Sequence, residues 1–426
     1  MTELQRRDPA IAALIADELA RQRTGLEMIP SENYTSLAVM EAMGSVLTNK
    51  YSEGYPDKRY YGGNQFIDQI ETLARDRAKV LFGVTHANVQ AYSGSPANQA
   101  IAFALIKPGE KLMGLHLLYG GHLTHGWKVN FSGTYYQAAQ YVTGQDGWLD
   151  YDTLAEQVKK EQPKLLWVGA TAYPRKFDFA KLAAIAKSVD AYLVADISHI
   201  SGLVVSGDHP TPVGHADVVM TTTHKTMRGP RGALILCNGN PSNPLKAPER
   251  TRENIPSLID RAVFPGLQGG PHNHQTAGIA VALLEAATDE FKTYGHQVVA
   301  NAKALAETFA ANDVAMVTGG TDNHLLLLDV TPLGITGTVA QEALERVNIT
   351  VNKNVIPFDQ RKPFDPSGIR LGTPALTTQG FTPTDMKEVG QIIVDVLRKP
   401  EDETVQNETR KKVAVLTAAH PLYPTL

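Results

Sequence analysis

The chain contains a single cysteine, Cys237, among its 426 residues. An intrachain disulfide, a four-cysteine zinc site and CxxC redox chemistry are therefore excluded. Cys237 ends the apolar run 232–237, which favours a buried strand residue over a nucleophile. Long uncharged apolar stretches are missing, so no membrane span is predicted, and the charged helix predicted over 8–23 does not resemble a targeting signal. These features predict a cytoplasmic protein.

Neither sign of charge dominates, because 40 Lys and Arg oppose 44 Asp and Glu for a formal net charge of −4. This balance argues against nucleic acid as a partner. The dinucleotide-binding glycine motif, the P-loop, GxSxG and HExxH are all missing, which removes the main sequence support for those chemistries. The pairs His122 with His125 and His272 with His274 have no carboxylate or cysteine at ligand spacing, so we expect no metal site.

What the sequence does contain is an alternation of helical and strand patterns. Helical periodicity covers 67–81, 97–106 and 178–189, and short apolar runs occur at 111–115, 164–170, 192–197, 218–223 and 233–237. Apolar runs of this length between helices predict an α/β domain with a mainly parallel sheet. After an exposed insertion predicted at 239–256 and a helix at 273–288, a smaller domain is predicted, with strands near 314–317, 325–330 and 349–352 and helices near 339–347, 383–398 and 403–418.

Three polar groups are candidates for chemistry. Asp196 and the cluster 221–226, which holds Lys225, each follow an apolar strand, where α/β folds place ligands. The small residues 93–98 open a helix, and a helix N-terminus binds anions. Taken singly, each group also fits a plainer role as a solvated lysine, a paired carboxylate or an N-cap. Pyridoxal phosphate accounts for all three together, because it needs a lysine, an acid beside its pyridine nitrogen and a phosphate site.

Longer motifs occur in a fixed order along the chain. They are IPSENY at 29–34, YSEGYP at 51–56 with RYYGG at 59–63, GGHLTHG at 120–126, THKT at 223–226 with RGPRG at 228–232, FPGLQGGP at 264–271 and GIRLGTP at 368–374. This set resembles the serine hydroxymethyltransferase family of fold-type I pyridoxal-phosphate enzymes over nearly the whole chain. The resemblance implies an N-terminal helical arm over 1–25, a large cofactor-binding domain with a mainly parallel seven-stranded sheet over 26–285, and a small α+β domain over 286–426.

The resemblance also implies roles for individual residues. Lys225 would carry pyridoxal 5'-phosphate as an aldimine, Asp196 would pair with the pyridine nitrogen, and His122 would stack on the ring. Further cofactor contacts would come from Ser93, Gly94, Ser95, Thr171, His199, Thr222 and His224, and from Tyr51, Gly269 and Gly270 of a partner subunit. Substrate would be bound by Ser31, Arg370, Tyr61 and Glu53, with Tyr61 and Glu53 also catalytic, and folate by Leu117, Gly121, Leu123 and Asn354. His125 and His224 fit a supporting role equally well.

The activity implied by the resemblance is the interconversion of L-serine and glycine, with transfer of the hydroxymethyl carbon to tetrahydrofolate to give 5,10-methylenetetrahydrofolate. The expected assembly is a homodimer with shared active sites, or a tetramer. The alternatives are a folate-independent aldolase of β-hydroxy amino acids, an α-methylserine hydroxymethyltransferase and a non-catalytic member that binds RNA or protein. Four positions depart from the usual family residue: Thr171 for Ser, Asp57 for Gly, Met227 for Leu and Tyr119 for a frequent His.

Overall fold

The computed structural model describes residues 2–239 and 249–426. In chain order, the helices are α1 Glu3–Arg7, α2 Pro9–Thr24, α3 Leu37–Met43, α4 Gln65–Phe82, α5 Gly94–Leu105, α6 Phe131–Thr134, α7 Tyr151–Glu161, α8 Phe179–Lys187, α9 Ser201–Ser206, α10 Ile255–Arg261, α11 Asn273–Ala286, α12 Asp289–Ala311, α13 Gly337–Glu345, α14 Pro374–Thr378, α15 Pro383–Arg398 and α16 Glu403–Ala419. The strands are β1 Leu26–Glu27, β2 Gly54–Tyr55, β3 Lys58–Arg59, β4 His86–Asn88, β5 Lys111–Leu115, β6 Gln137–Tyr141, β7 Leu165–Val168, β8 Tyr192–Asp196, β9 Val218–Thr222, β10 Ala233–Cys237, β11 Ala315–Met316, β12 Leu325–Asp329, β13 Ile349–Thr350, β14 Asn352–Asn354 and β15 Gly368–Gly372.

The chain divides into two compact units. Residues 33–296 form one, and residues 2–32 join 297–426 in the other. This grouping differs from the predicted domains, because the segment after residue 25 pairs with the C-terminal part of the chain: β1 runs parallel to β13. Of the insertion predicted at 239–256, residues 240–248 lie outside the described residues, and the part after them holds the start of α10.

A seven-stranded sheet forms the centre of the unit 33–296, in the order β4-β10-β9-β8-β7-β5-β6. The strands from β9 to β6 pair in parallel, and β10 is antiparallel to both of its neighbours. The predicted mainly parallel α/β sheet is therefore confirmed. Apolar runs such as β7 and β10 are buried along their whole length, as expected for strands covered on both faces. Cys237 is the buried last residue of β10, and burial raises the pKa of its thiol.

The other unit has its own sheet and core. Its four strands are antiparallel in the order β11-β12-β15-β14. Leu26, Leu326, Ile369 and Val389 belong to one buried apolar cluster that the helices of this unit complete. The single strand predicted at 349–352 is in fact two, because Ile349 pairs with β1 whereas β14 pairs with β15. Within the described part of the chain, none of the helices combines the length and apolar character that crossing a membrane requires.

Candidate active site

Two predicted catalytic residues lie at the same edge of the sheet. Asp196 is the last residue of β8 and pairs in register with Met220 of the neighbouring parallel strand β9. Lys225 follows the end of β9 by three residues. Because the carboxyl ends of parallel strands share one edge, Lys225 lies near Asp196, and its positive charge is one of several influences that lower the pKa of Asp196. This juxtaposition was predicted from the strand ends.

The Asp196 carboxylate is buried and fully hydrogen-bonded. Its Oδ2 accepts from Asn98 Nδ2 at 2.9 Å and lies 3.2 Å from His125 Nε2. Its Oδ1 accepts from the Ser198 hydroxyl at 2.6 Å and from the Ser198 backbone N–H at 3.1 Å. Burial alone would raise the pKa of Asp196, but the hydrogen bond from His125 and the charges around it hold that pKa well below its usual range. The carboxylate is therefore ionised at any physiological pH.

Two imidazoles near Lys225 are kept neutral near pH 7. Burial, helped by the charges of His125 and Lys225, lowers the pKa of His122 to about 4. Burial, with the charges of Lys225 and Arg231, lowers the pKa of His224 to about 3. A neutral imidazole at either position presents a flat ring without a charge, which suits stacking against a bound aromatic ring.

His125 contacts Asp196 and packs against Trp167. Its ring stacks on Trp167 with 5.3 Å between centroids, and its Nε2 contacts the carboxylate. Folding thus supplies a carboxylate to the His122–His125 pair that sequence spacing did not show, and donor atoms of the three residues lie within 4.8 Å of one another. Since Asp196 already accepts hydrogen bonds from Asn98 and His125, the absence of a metal stays our prediction.

The opening of α5 forms a cradle for an anion. Ser93 occupies the N-cap position, yet its side chain makes no capping hydrogen bond, so the N-cap explanation of this serine does not hold. A Cβ added to Gly94 would lie 2.7 Å from Cγ2 of Thr222, so β9 and the helix approach closely only because residue 94 is glycine. The Thr222 hydroxyl is buried without a hydrogen-bond partner. Small residues, a helix N-terminus and an unsatisfied hydroxyl together fit the phosphate group of pyridoxal phosphate.

The backbone after β9 holds Lys225 in place. Asn33 Nδ2 donates to the Lys225 carbonyl at 2.9 Å, and the Thr226 hydroxyl donates to the His199 carbonyl at 3.1 Å. Arg228 has a positive φ of 55° and its guanidinium lies 4.3 Å from the centroid of the Tyr294 ring. Sequence reasoning gave no role to Asn33 or to Asn98. Both lie inside motifs that were recognised, but nothing in those motifs identifies an amide that orients the lysine or the aspartate.

The predicted folate residues of this unit lie on a tightly folded strip. Leu117 and Leu123 begin two short 3₁₀ helices, and a Cβ on Gly121 would lie 1.9 Å from the Leu115 carbonyl oxygen. Thr171 anchors the strip, because its backbone N–H donates to the Gly120 carbonyl at 2.7 Å and its hydroxyl to the Gly121 carbonyl at 3.0 Å. Thr171 and the usual serine both carry a hydroxyl, and in this chain that hydroxyl donates a hydrogen bond to the strip.

A second group of predicted site residues lies around Glu53. The Tyr51 hydroxyl donates to Glu53 Oε1 at 3.2 Å, and the Tyr51 and Tyr61 rings make an edge contact with centroids 5.0 Å apart. A Cβ on Gly269 would lie 3.0 Å from Glu53 Oε1, and one on Gly270 would lie 3.2 Å from the Tyr51 ring. The structure therefore brings all five residues together. We call them the Glu53 group, and we call Lys225, Asp196, His122, His224 and Thr222 the Lys225 group.

Three predicted residues belong to the other unit. Arg370 lies on β15, where its Nε donates to Asn352 Oδ1 at 3.0 Å, and burial lowers the pKa of Arg370 to about 10. Its guanidinium therefore stays charged near neutral pH. Asn354 pairs in register with Gly368 on the same strand pair, and Ser31 is partly buried shortly after β1.

Comparisons with known proteins agree with this arrangement. The family model described as serine hydroxymethyltransferase matches residues 4–393. A serine hydroxymethyltransferase of Acidothermus cellulolyticus is 56% identical over 390 residues, 91% of this chain and 88% of that protein. Proteins of the same name from Microcystis aeruginosa and Nostoc punctiforme are each 52% identical over 420 residues, 98% of this chain and 95% of theirs. The chain therefore belongs to the serine hydroxymethyltransferase family.

Proposed function

We propose that the protein interconverts L-serine and glycine and passes the hydroxymethyl carbon to tetrahydrofolate. Family membership confirms the predicted fold-type I architecture, the enzyme class, the cofactor pyridoxal 5'-phosphate and the cosubstrate tetrahydrofolate. The observation that supports the chemistry in this chain is the ionised Asp196 carboxylate beside the charge of Lys225 at the sheet edge.

Bound pyridoxal phosphate supplies an electron sink for bonds broken at the substrate α-carbon. In the proposed mechanism, the Lys225 amine would be the covalent attachment point, and the Ser93–Ser95 opening of α5 with the Thr222 hydroxyl would hold the phosphate. The ionised Asp196 would keep a proton on the pyridine nitrogen, which would make the ring a stronger sink. Glu53 moves a proton at the substrate hydroxyl, and Arg370 binds the substrate carboxylate through its planar fork.

We further propose that each active site uses Glu53 from a partner subunit. Tyr51 and Tyr61 are 53% and 48% exposed. Exposed tyrosines beside a carboxylate suit an interface, where rings bury area and hydroxyls find partners.

An exposed apolar stripe on α4 supports the same proposal. Phe66, Leu73 and Val80 recur every seven residues and are 66%, 45% and 83% exposed. Seven-residue spacing places them on one side of the helix, close in sequence to the Glu53 group. A two-fold dimer that covers this stripe would form two identical shared sites. We place this enzyme in the cytoplasm, in agreement with its one free, buried cysteine.

The activity is tested by the rate of serine cleavage with and without tetrahydrofolate. We expect the folate to raise the rate about tenfold or more, because it removes the one-carbon product. Equal rates would indicate the folate-independent aldolase instead. Faster turnover of α-methylserine than of L-serine would indicate the α-methylserine enzyme.

The shared site is tested by mixing two inactive variants, Glu53→Gln and Lys225→Ala, unfolding them together and refolding the mixture. Random pairing makes half of the dimers hybrids, and each hybrid has one site with both native groups. About a quarter of all sites should therefore be active. Recovery no greater than the two parents give alone, in a mixture shown to contain hybrids, would place Glu53 and Lys225 of one chain in the same site.

A further inference from the structure

A buried arginine lies behind the exposed Glu53 group. Arg59 ends the short strand β3, pairs in register with Gly54, and has a side chain only 3% exposed. Its Nε donates to Asp68 Oδ1 at 2.8 Å, and its Nη2 donates to Glu71 Oε2 at 2.6 Å. Nη1 donates to two backbone carbonyls, those of Ser52 at 2.9 Å and Gly54 at 2.8 Å. These two carbonyls are the ones immediately before and after Glu53.

The backbone around Glu53 is fixed at every carbonyl. The Glu53 carbonyl accepts from the Tyr60 N–H at 3.0 Å, and the Gly54 carbonyl also accepts from Gln90 Nε2 at 2.9 Å. Gly54 has a φ of +100°, and a Cβ there would lie 2.3 Å from the Lys58 carbonyl oxygen. The Glu53 side chain is partly exposed, so its position depends on this backbone rather than on packing around the carboxylate.

Acidic partners complete the network around Arg59. Glu71 is buried, and both of its carboxylate oxygens accept from Gln90 Nε2 at 3.0 Å. Burial raises the pKa of Glu71, and the Arg59 guanidinium limits that rise. A buried carboxylate with such a partner loses its compensation when the partner is removed. Arg59, Glu71 and Gln90 therefore form one hydrogen-bonded network, in which Arg59 and Gln90 also donate to the Gly54 carbonyl.

We propose that Arg59, supported by Glu71 and Asp68, is the positioning residue for the Glu53 carboxylate. The proposal rests on the acid–base role of Glu53 given above. Arg59 reaches no reacting atom itself. It fixes the two peptide units on either side of Glu53, so that the side chain enters the partner's active site from one defined backbone position. A displacement of about 1 Å at a reacting group costs on the order of 100-fold in rate, so a constraint of this kind governs kcat.

The first test replaces Arg59 by lysine, which keeps the charge but cannot bind two carboxylates and two carbonyls at once. We expect Arg59→Lys to lower kcat for serine cleavage about tenfold or more, with serine KM and the absorbance of bound cofactor unchanged within about twofold. Hydrogen exchange should accelerate at the Tyr60 amide, whose acceptor is the Glu53 carbonyl. Arg77→Lys is the matched control, because Arg77 belongs to α4, the helix that carries Asp68 and Glu71, and also donates to a carbonyl, that of Ala280, at 2.6 Å.

Asp68→Asn is a milder variant that keeps the proposal testable if Arg59→Lys does not fold. The Asp68 side chain is 19% exposed, so the change removes one charged partner of Arg59 without creating a deeply buried unpaired group. We expect kcat to fall about threefold with KM unchanged, together with faster exchange at the Tyr60 amide. Unchanged kcat and unchanged exchange in this variant would overturn the proposal.

A double-mutant cycle with Glu53→Gln separates positioning from general destabilisation. If Arg59 acts through the Glu53 carboxylate, Arg59→Lys should have no further effect on the residual rate of Glu53→Gln. Multiplying effects, with Glu53→Gln strongly impaired, would overturn the positioning role and leave the proposed function of Glu53 intact. Near-normal activity of Glu53→Gln alone would instead overturn the acid–base role of Glu53 and this proposal with it.

Discussion

The Lys225 group and the Glu53 group reach the geometry of a functional site by opposite means. Asp196 and Lys225 lie at the ends of buried strands, and Asp196 is held by four hydrogen-bonding contacts to its side chain. Glu53 lies on a surface segment, and its carboxylate accepts a hydrogen bond from the Tyr51 hydroxyl, which belongs to an exposed side chain. In the first group side-chain contacts fix the carboxylate, whereas in the second the backbone carbonyls are fixed instead.

The difference shows what each location requires. A sheet edge orients side chains through the strands, so Asp196 needs only neighbours that offset the cost of burial. A surface segment is not held by neighbouring strands in this way. Here Arg59, which is buried, holds the segment by donating hydrogen bonds to the carbonyls of Ser52 and Gly54. Variants in the two groups should therefore fail in different ways.

The largest effect is expected for Lys225→Ala. Turnover should fall by at least about 10³-fold, because the covalent attachment point is lost. Borohydride reduction should no longer fix the cofactor to the protein, while Lys181→Ala, an exposed lysine of α8, should label normally. Covalent labelling of Lys225→Ala at the native ratio would remove Lys225 from the site.

A smaller loss is expected for Asp196→Asn. The amide keeps the shape but cannot hold the pyridine proton, and loss of such a charge costs several kcal/mol, or about 10² to 10³ in kcat. Asp217→Asn is the control, since Asp217 directly precedes β9 and accepts from the Leu193 N–H at 2.8 Å. A near-normal kcat for Asp196→Asn would contradict the electron-sink role.

The Lys225 group should also give the cofactor-free protein a pH-dependent stability. The pKa of His122 is lowered to about 4 from 6.5, so the unfolded chain takes up that proton first as the pH falls. Stability should decline from about pH 6.5 to about pH 4, by up to about 3 kcal/mol, because each pKa unit corresponds to about 1.4 kcal/mol. Urea unfolding at a series of pH values should show a shallower decline for His122→Gln but not for His215→Gln, at an exposed histidine. Identical declines in all three proteins would contradict the burial of a neutral His122.

The smallest effect is expected at Asp57, in the turn that joins β2 to β3. Asp57 has a φ of +62°, which explains why glycine is usual there, and its N–H donates to Asp68 Oδ2 at 3.1 Å. Asp57→Gly should change the melting temperature by only a few degrees and activity by less than about twofold, whereas Asp57→Ala should cost about 1 kcal/mol. Equal stability of the glycine and alanine variants would show that the left-handed conformation is not what this position requires.

The strands that carry the Lys225 group were predictable because each is a continuous apolar run. β4 and β6 were missed, and both are edge strands of the sheet. In β6, Gln137 and Gln140 leave no apolar pattern for the sequence to show. α12 was missed although Phe291, Tyr294 and Val298 are buried at helical spacing near its start. Helix α15 was predicted with the bounds it has, since Thr382 forms a capping box and the apolar face is regular.

At the candidate site, the polar residues at the strand ends could be predicted from the sequence, whereas the groups that hold them in place could not. Lys225 and Asp196 follow apolar strands, and this pattern can be read from the sequence alone. Asn98 and Arg59 act through contacts to residues 98 and 12 positions away in sequence. Only folding brings those partners together. A motif that contains Asn98 or Arg59 does not indicate which side chain or carbonyl that residue contacts.

The pairing of β1 with β13 has a consequence for synthesis. Leu26 is synthesised early in translation, but its strand partner Ile349 is synthesised more than three hundred residues later. At about 5–20 residues per second, the wait is on the order of 15 to 65 s. Residues 33–296, which form the other compact unit, are synthesised during that wait. Leu26 and Met28 are fully buried in the finished unit, so we expect these apolar side chains to stay uncovered during that wait and to be a binding site for a ribosome-associated chaperone.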